Sequence, residues 1–184
     1  MISREWKQSS SGQTFLISTS RALLPHEFVQ KAFRNPDMYW AGPVSAANMQ
    51  LMLDNSCTLG LYRKSQKESS SPVEHIPIGL ARMITDYVTF AYMTDVYVEE
   101  EYRKYGLGKW LIACCKEIIE EMPELRRVML LTGSEQAQRL YKREMGMEVL
   151  GEVLGEGREG LVAMSAKPAD LKAAGRDKVE ALVS

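Results

Sequence analysis

The chain has 184 residues, 45% of them hydrophobic and 26% charged, which fits a single globular domain with a full core and falls short of two. Its 23 Lys and Arg against 24 Asp and Glu leave a formal charge of −1, so there is no basic footprint for nucleic acid or an anionic membrane. The three cysteines, Cys57, Cys114 and Cys115, make no disulfide framework and suit a reducing compartment, while the first residues lack the apolar core of a signal peptide and no run reaches the length of a membrane span.

In chain order, residues 13–19 read as a first strand and residues 25–33 as a helix with Pro25 near its first turn. A second helix is expected over 43–53, with Val44, Ala47 and Leu51 at helical spacing. Residues 57–63 read as a strand, and the serine-rich stretch 64–75 as a solvated, mobile loop. Two long strands follow, 76–84 and 91–98. Leu107, Trp110, Leu111, Cys114, Ile118 and Met122 then line one face of a helix that ends near Pro123. A buried strand is expected over 127–131 and a helix over 134–144, with Ser134 as N-cap. Strands at 147–150 and 160–164 would close the sheet around a glycine-rich loop, before a short helix within 168–183.

The most informative stretch joins the strand 91–98 to the helix after it. There Arg103-Lys104-Tyr105-Gly106-Leu107-Gly108 is followed at once by Lys109 and an amphipathic run. Strand, glycine-bearing turn and helix N-terminus together make an anion site. Glycines let the backbone approach a ligand, and the first-turn N–H groups lack intrahelical partners. The spacing is neither that of a nucleotide P-loop nor that of a dinucleotide fold, because Leu111 stands where a third glycine belongs.

Arg-x-x-Gly-x-Gly after a strand resembles the acetyl-coenzyme A motif of the GNAT superfamily of N-acetyltransferases. Ala137-Gln138-Arg139-Leu140-Tyr141-Lys142-Arg143-Glu144-Met145-Gly146-Met147 is similar to the family's Ala-x-x-Leu-Tyr-x-x-x-Gly-Phe, with Met147 for the aromatic and one extra residue before Gly146. The resemblance is motif-specific over 76–150 and topological before that. It implies an α/β fold of mixed α+β type: one domain over 1–184, with a central sheet of six to seven strands, splayed after the fourth, and helices on both faces.

The resemblance also assigns roles. The backbone of Val96, Tyr97 and Val98 would offer an oxyanion donor. Arg103, Lys104, Tyr105, Gly106, Leu107, Gly108 and Lys109 would cradle the diphosphate, and Ser134 would reach the pantetheine arm. Tyr141 would lie near the coenzyme sulfur and protonate it. For the acceptor's proton, Asp95 is the first candidate base, with Asp86 and Tyr92 as alternatives. A carboxylate inside a strand is unusual, and a structural, hydrogen-bonded role stands level with the catalytic one. Tyr39, Trp40, Asp86, Tyr87 and Tyr92 would form an aromatic and acidic pocket for a cationic amine. His26 and His75 have no ligand partners at metal spacing, so no metal is expected. Cys114 sits on the core stripe and reads as a buried thiol.

The expected activity is acetyl transfer from acetyl-CoA to the primary amine of a small molecule, by direct attack in a ternary complex. A protein lysine or N-terminal acetyltransferase of the same fold is the first alternative, and a non-catalytic acyl-CoA-binding module the second. The expected partners are a small amine, no nucleic acid and no membrane, in a monomer or homodimer. The expected location is the cytoplasm, with the nucleus as the other compartment.

Overall fold

A computed structural model describes residues 3–65, 73–132, 135–147 and 149. The chain divides into two compact units, Met1–Gly146 and Met147–Ser184, and the first carries everything below. The closing strands, the glycine-rich loop and the last helix expected from the sequence rest on residues outside the described set, as do most of the 64–75 loop and Ser134.

Six strands form one sheet in sequence order: β1 (Glu5–Ser10), β2 (Gln13–Ser18), β3 (Cys57–Ser65), β4 (Glu74–Thr85), β5 (Phe90–Val98) and β6 (Arg127–Met129). All neighbours are antiparallel except β5 and β6. β1 was not expected. It pairs with β2 across the two-residue loop Ser11-Gly12, and both loop residues take positive φ (49° and 75°), the turn geometry that matches strand twist. Trp6 Nε1 donates to Glu117 on the long helix at 2.6 Å, and Arg4 pairs with Glu121 there.

Helices cover both faces. On one side lie α1 (His26–Phe33) and α2 (Ala46–Asp54). α1 presents Phe28, Val29, Ala32 and Phe33, and α2 presents Met49 and Leu53, packing with Leu80 and Tyr97 of the sheet. The expected stripe through Leu51 is therefore corrected. Leu51 is 63% exposed, because the i, i+4 pair Met49 and Leu53 faces inward, and Ser45 caps the helix by accepting from Asn48 N–H at 3.3 Å. On the other side α3 (Leu107–Glu120) buries Leu107, Leu111, Cys114, Cys115, Ile118 and Ile119 against β3, β4 and β5, and Ile112 is buried as well. α4 (Glu135–Met145) follows, and its Tyr141 and Met145 pack on the same cluster. β6 is shorter than expected and only partly buried.

Candidate active site

The site begins with an irregularity in β5. Leu80 pairs with Tyr97, but Arg82 pairs with Thr94, so Asp95 and Val96 together face one residue of β4. This is a β-bulge, and Asp95 takes φ +50° within it, a left-handed conformation that Asp tolerates better than most residues. The extra residue resets which side chain faces which helix layer. Ala91 and Met93 face α3, and after the bulge Val96 and Val98 do so, leaving Tyr97 to face α1 and α2.

Among the described residues the bulged end of β5 also has an uncovered edge. β6 pairs only with Phe90, Ala91 and Tyr92, and among the described residues no strand pairs with β5 beyond them on that side. Glu99 N–H donates to Ile78 of β4 at 2.9 Å. The Tyr97 carbonyl also faces β4, close enough that a Cβ on Gly79 would come within 2.7 Å of it. By strand alternation the peptide groups of Val96 and Val98 turn the other way, to the uncovered edge.

A short 3-10 segment, Glu100–Tyr105, leads from β5 to Gly106, whose φ of +71° turns the chain into α3. Trp110 N–H is the first of α3 to find a helical carbonyl, that of Gly106 at 3.3 Å. The N–H groups of Leu107, Gly108 and Lys109 thus have no intrahelical acceptor. A Cβ built on Gly106 or Gly108 would meet nothing within 4 Å, so the helix start faces open space. The nearby cations are engaged elsewhere. Arg103 donates to the Val98 carbonyl at 3.0 Å and to Asp37 at 2.7 Å. Lys104 lies 5.3 Å over the Tyr105 ring, and Lys109 pairs with Glu144 at 3.5 Å. What this helix start offers an anion is its backbone N–H groups and helix dipole rather than these side chains.

Beside the edge lies an open cleft of about 540 Å³, lined on one side by Val96, Tyr97, Val98 and Arg103 and on the other by residues 36–40. Asn35 begins that wall, accepting from Asp37 N–H at 2.9 Å and donating to the Tyr97 hydroxyl at 3.1 Å. Tyr39 and Trp40 stand edge to face, 5.1 Å apart, and are 75% and 50% exposed. Trp40 Nε1 donates to Asp95 Oδ1 at 3.2 Å.

Known proteins carry the same plan. The model of the "Acetyltransferase (GNAT) family" matches residues 28–147. A Gibberella zeae protein named "Putative acetyltransferase" is 36% identical over 156 residues, covering 80% of this chain and 87% of its own. The chain belongs to the GNAT acetyltransferase family. Two crystal structures with the same designation share the fold. The one from Xanthomonas campestris pv. campestris has 26% identity and a TM-score of 0.55, and the match covers 79% of this chain and 94% of that one. The one from Deinococcus radiodurans R1 has 17% identity and a TM-score of 0.55, and covers 91% and 97%.

GNAT acetyltransferases use acetyl-CoA as acyl donor, and the residues present fit it. The first-turn amides of α3 and the unfilled space over Gly106 and Gly108 suit the diphosphate, and the uncovered peptide groups of Val96 and Val98 suit an amide-bearing arm and a thioester carbonyl. The sequence motif thus falls at an open helix start, and the side chains of Arg103, Lys104 and Lys109 that the resemblance counted toward the cradle are engaged elsewhere.

The remaining site residues divide. Tyr39 and Trp40 do wall the cleft. Asp86 and Tyr87 do not reach it: they form the β4–β5 hairpin at the far end of β5. Asp86 Oδ1 accepts from the N–H groups of Val88, Thr89 and Phe90, and Oδ2 from the Thr89 hydroxyl. The Thr89 hydroxyl and these amides hold its carboxyl well below the usual range. Tyr87 has φ +59°, and burial pushes its hydroxyl up to about 12. Tyr92 pairs with Ile84 and Met129, roughly 13 Å along the strand from Val96 at the usual rise.

Tyr141 on α4 is partly buried against the α3 cluster. Burial pushes its hydroxyl up to about 12, with the nearby Cys115 adding to the shift. It stays protonated at neutral pH and has no hydrogen-bond partner among the described residues. Burial also raises the thiols of Cys57, Cys114 and Cys115, which keeps them as core side chains rather than nucleophiles.

Three contributors were missed from the sequence. Arg82 pairs with Asp95, Asp37 ties down Arg103, and Asn35 anchors Tyr97. Arg82 did carry a signal. It is a lone cation in an apolar strand, as Asp95 is a lone anion in the next, and two such charges in adjacent strands have each other as the available partner.

Proposed function

We propose that the protein transfers the acetyl group of acetyl-CoA to a primary amine of a small molecule, by direct attack in a ternary complex. The observation that carries this reading is the juxtaposition of two features on one short path. Among the described residues β5 is bulged and uncovered at Val96–Val98, and the glycine helix start stands a few residues on, with a cleft between that edge and an aromatic wall. In this reaction the amine nitrogen bonds to the thioester carbonyl carbon, the C–S bond breaks, and the amine loses one proton.

The N–H groups of Val96 and Val98 stabilise the oxyanion. Tyr141 donates a hydrogen bond to the leaving sulfur. With its hydroxyl near 12 it is a weaker acid than a thiol of about 8.5, so it stabilises the thiolate without fully transferring its proton beforehand. Tyr39 and Trp40 offer π faces to an ammonium. The Val96 carbonyl of the uncovered edge holds the water that takes the acceptor's proton, the Val98 carbonyl being taken by Arg103.

The exposed Tyr39–Trp40 rim favours a second reading, in which a peptide's lysine or N-terminal amine lies across it. Thiol release from acetyl-CoA, measured against polyamines, arylalkylamines, amino acids, aminosugars, lysine peptides and N-terminal peptides, decides between them. Turnover with a small amine supports the first reading and turnover with peptides alone supports the second. Tight coenzyme binding with no thiol release on any amine would leave a binding module.

A further inference from the structure

We infer that Asp95 and Arg82 are a positioning pair. Together they lock the β5 bulge that turns Val96 and Val98 to the cleft, and they fix Trp40 in its wall. The inference rests on the acetyltransferase reading for its functional consequence, and it takes the Asp95 carboxylate out of the role of general base.

The geometry carries it. Asp95 is 4% exposed, in the left-handed conformation at the point where the β4–β5 register slips. Its carboxylate accepts from three elements. Arg82 Nε on β4 donates to Oδ2 at 2.7 Å; Trp40 Nε1 and the Thr94 hydroxyl donate to Oδ1 at 3.2 Å and 3.1 Å. Most of the lone-pair sites of an ionised carboxylate are thus committed. A glycine would reach this backbone conformation more easily, so an aspartate here has another use. That use is visible in its partners. Arg82 is the Cα partner of Thr94, the last residue before the bulge. The ion pair therefore crosses the sheet where two residues of β5 crowd one of β4. Trp40 extends the same contact to the cleft wall. The Arg82 and Asp95 side chains are only 13% and 5% exposed, and removing either leaves the other charged and unpaired. The two residues are thereby coupled: loss of Arg82 reproduces loss of Asp95.

The test uses the full chain as Asp95→Asn, Arg82→Met, and the double variant Asp95→Gly with Arg82→Leu. The double variant keeps a residue at ease with positive φ and leaves no buried charge, so it folds even if the single variants do not. In amide NMR of the unliganded protein, each variant is expected to move the resonances of Val96, Val98 and the Trp40 indole, and to leave Leu107–Lys109 in place. Coenzyme A affinity by calorimetry should fall by less than kcat does, because the glycine helix start is untouched and only the contacts of the arm with Val96 and Val98 are disturbed. With the most active amine of the panel, kcat should fall about ten-fold or more in every variant, the double being no worse than the singles, and the acid limb of the pH profile should persist. The proposal is overturned if Arg82→Met keeps wild-type kcat while Asp95→Asn loses it with a flattened acid limb, which is the signature of a base. It is equally overturned if the Val96 and Val98 resonances stay put in the Arg82 variants. A wild-type protein without turnover on any amine would sink the acetyl-transfer reading alone, and the NMR comparison would still decide the pair.

Discussion

One aspartate lies in the hairpin that leads into β5 and another at the strand's bulge, and the two are used in opposite ways. At the hairpin end Asp86 is solvent-exposed and spends its carboxylate on backbone N–H groups of its own turn. At the bulged end Asp95 is buried and spends its carboxylate on side chains drawn from β4, from the wall of the cleft and from its own strand. Both residues mark a departure from regular strand geometry. One departure closes a loop and has only local consequences. The other resets the facing of a strand and opens an edge toward a cleft. Proximity to a turn or a strand does not separate structural from functional carboxylates; what separates them is how many distant elements each one ties together.

The largest effect that would sharpen this contrast is on stability. Asp95→Ala should cost about 3–5 kcal/mol by stranding Arg82. For a chain of this length that lowers the melting temperature by about 6–20 °C. Calorimetry checks this, and a change within about 2 °C would mean the pair is solvated and the contrast with Asp86 is empty.

Next comes the coenzyme. Gly108→Glu adds a side chain into open space, so the fold should be kept. The new carboxylate would sit against the diphosphate, where like-charge contact costs several kcal/mol, about a hundred-fold in the dissociation constant of coenzyme A. Equal affinity in a folded variant would move the cradle elsewhere.

Tyr141→Phe should lower kcat about ten-fold while leaving coenzyme affinity unchanged. Because its hydroxyl is held near 12, an alkaline limb appearing between pH 7 and 10 should survive the substitution, about two units or more below that value. Loss of that limb in the phenylalanine variant would show a tyrosine titrating far lower than its burial dictates.

The smallest effect belongs to Asp86. Its folded value lies below the unfolded one, so its contribution to stability is present above the ordinary carboxylate range and fades as pH falls through the folded value. Asp86→Asn should flatten the acid side of the stability curve slightly and leave turnover untouched. A clear drop in kcat would bring the hairpin back into the acceptor site.

Much of this was legible in the sequence. The glycine motif named the helix start because Gly106 has one conformational role and no competing one, and α3 announced itself by a stripe that really is buried. The α2 stripe misled because Leu51 has the right spacing and the wrong face, in a helix that buries only Met49 and Leu53. β1 was hidden because its alternation is carried by polar residues at a sheet edge, and only the Ser11-Gly12 turn betrayed it. Asp95 stood out as a charge in a strand, yet its partner could not be found without the register that sets Arg82 beside Thr94. Asp86, Tyr87 and Tyr92 were grouped with Trp40 on composition, and strand length alone separates them.

Hydrogen exchange of backbone amides with and without acetyl-CoA tests the central claim most directly, since it reads both ends of β5 in one protein. Acetyl-CoA binding should slow exchange at Val96, Val98 and Leu107–Lys109 and leave Tyr87–Thr89 unchanged. Protection confined to the hairpin, or saturating acetyl-CoA with no protection along Val96–Val98 and Leu107–Lys109, would contradict the assignment of the bulged end of β5 as the acetyl-transfer site.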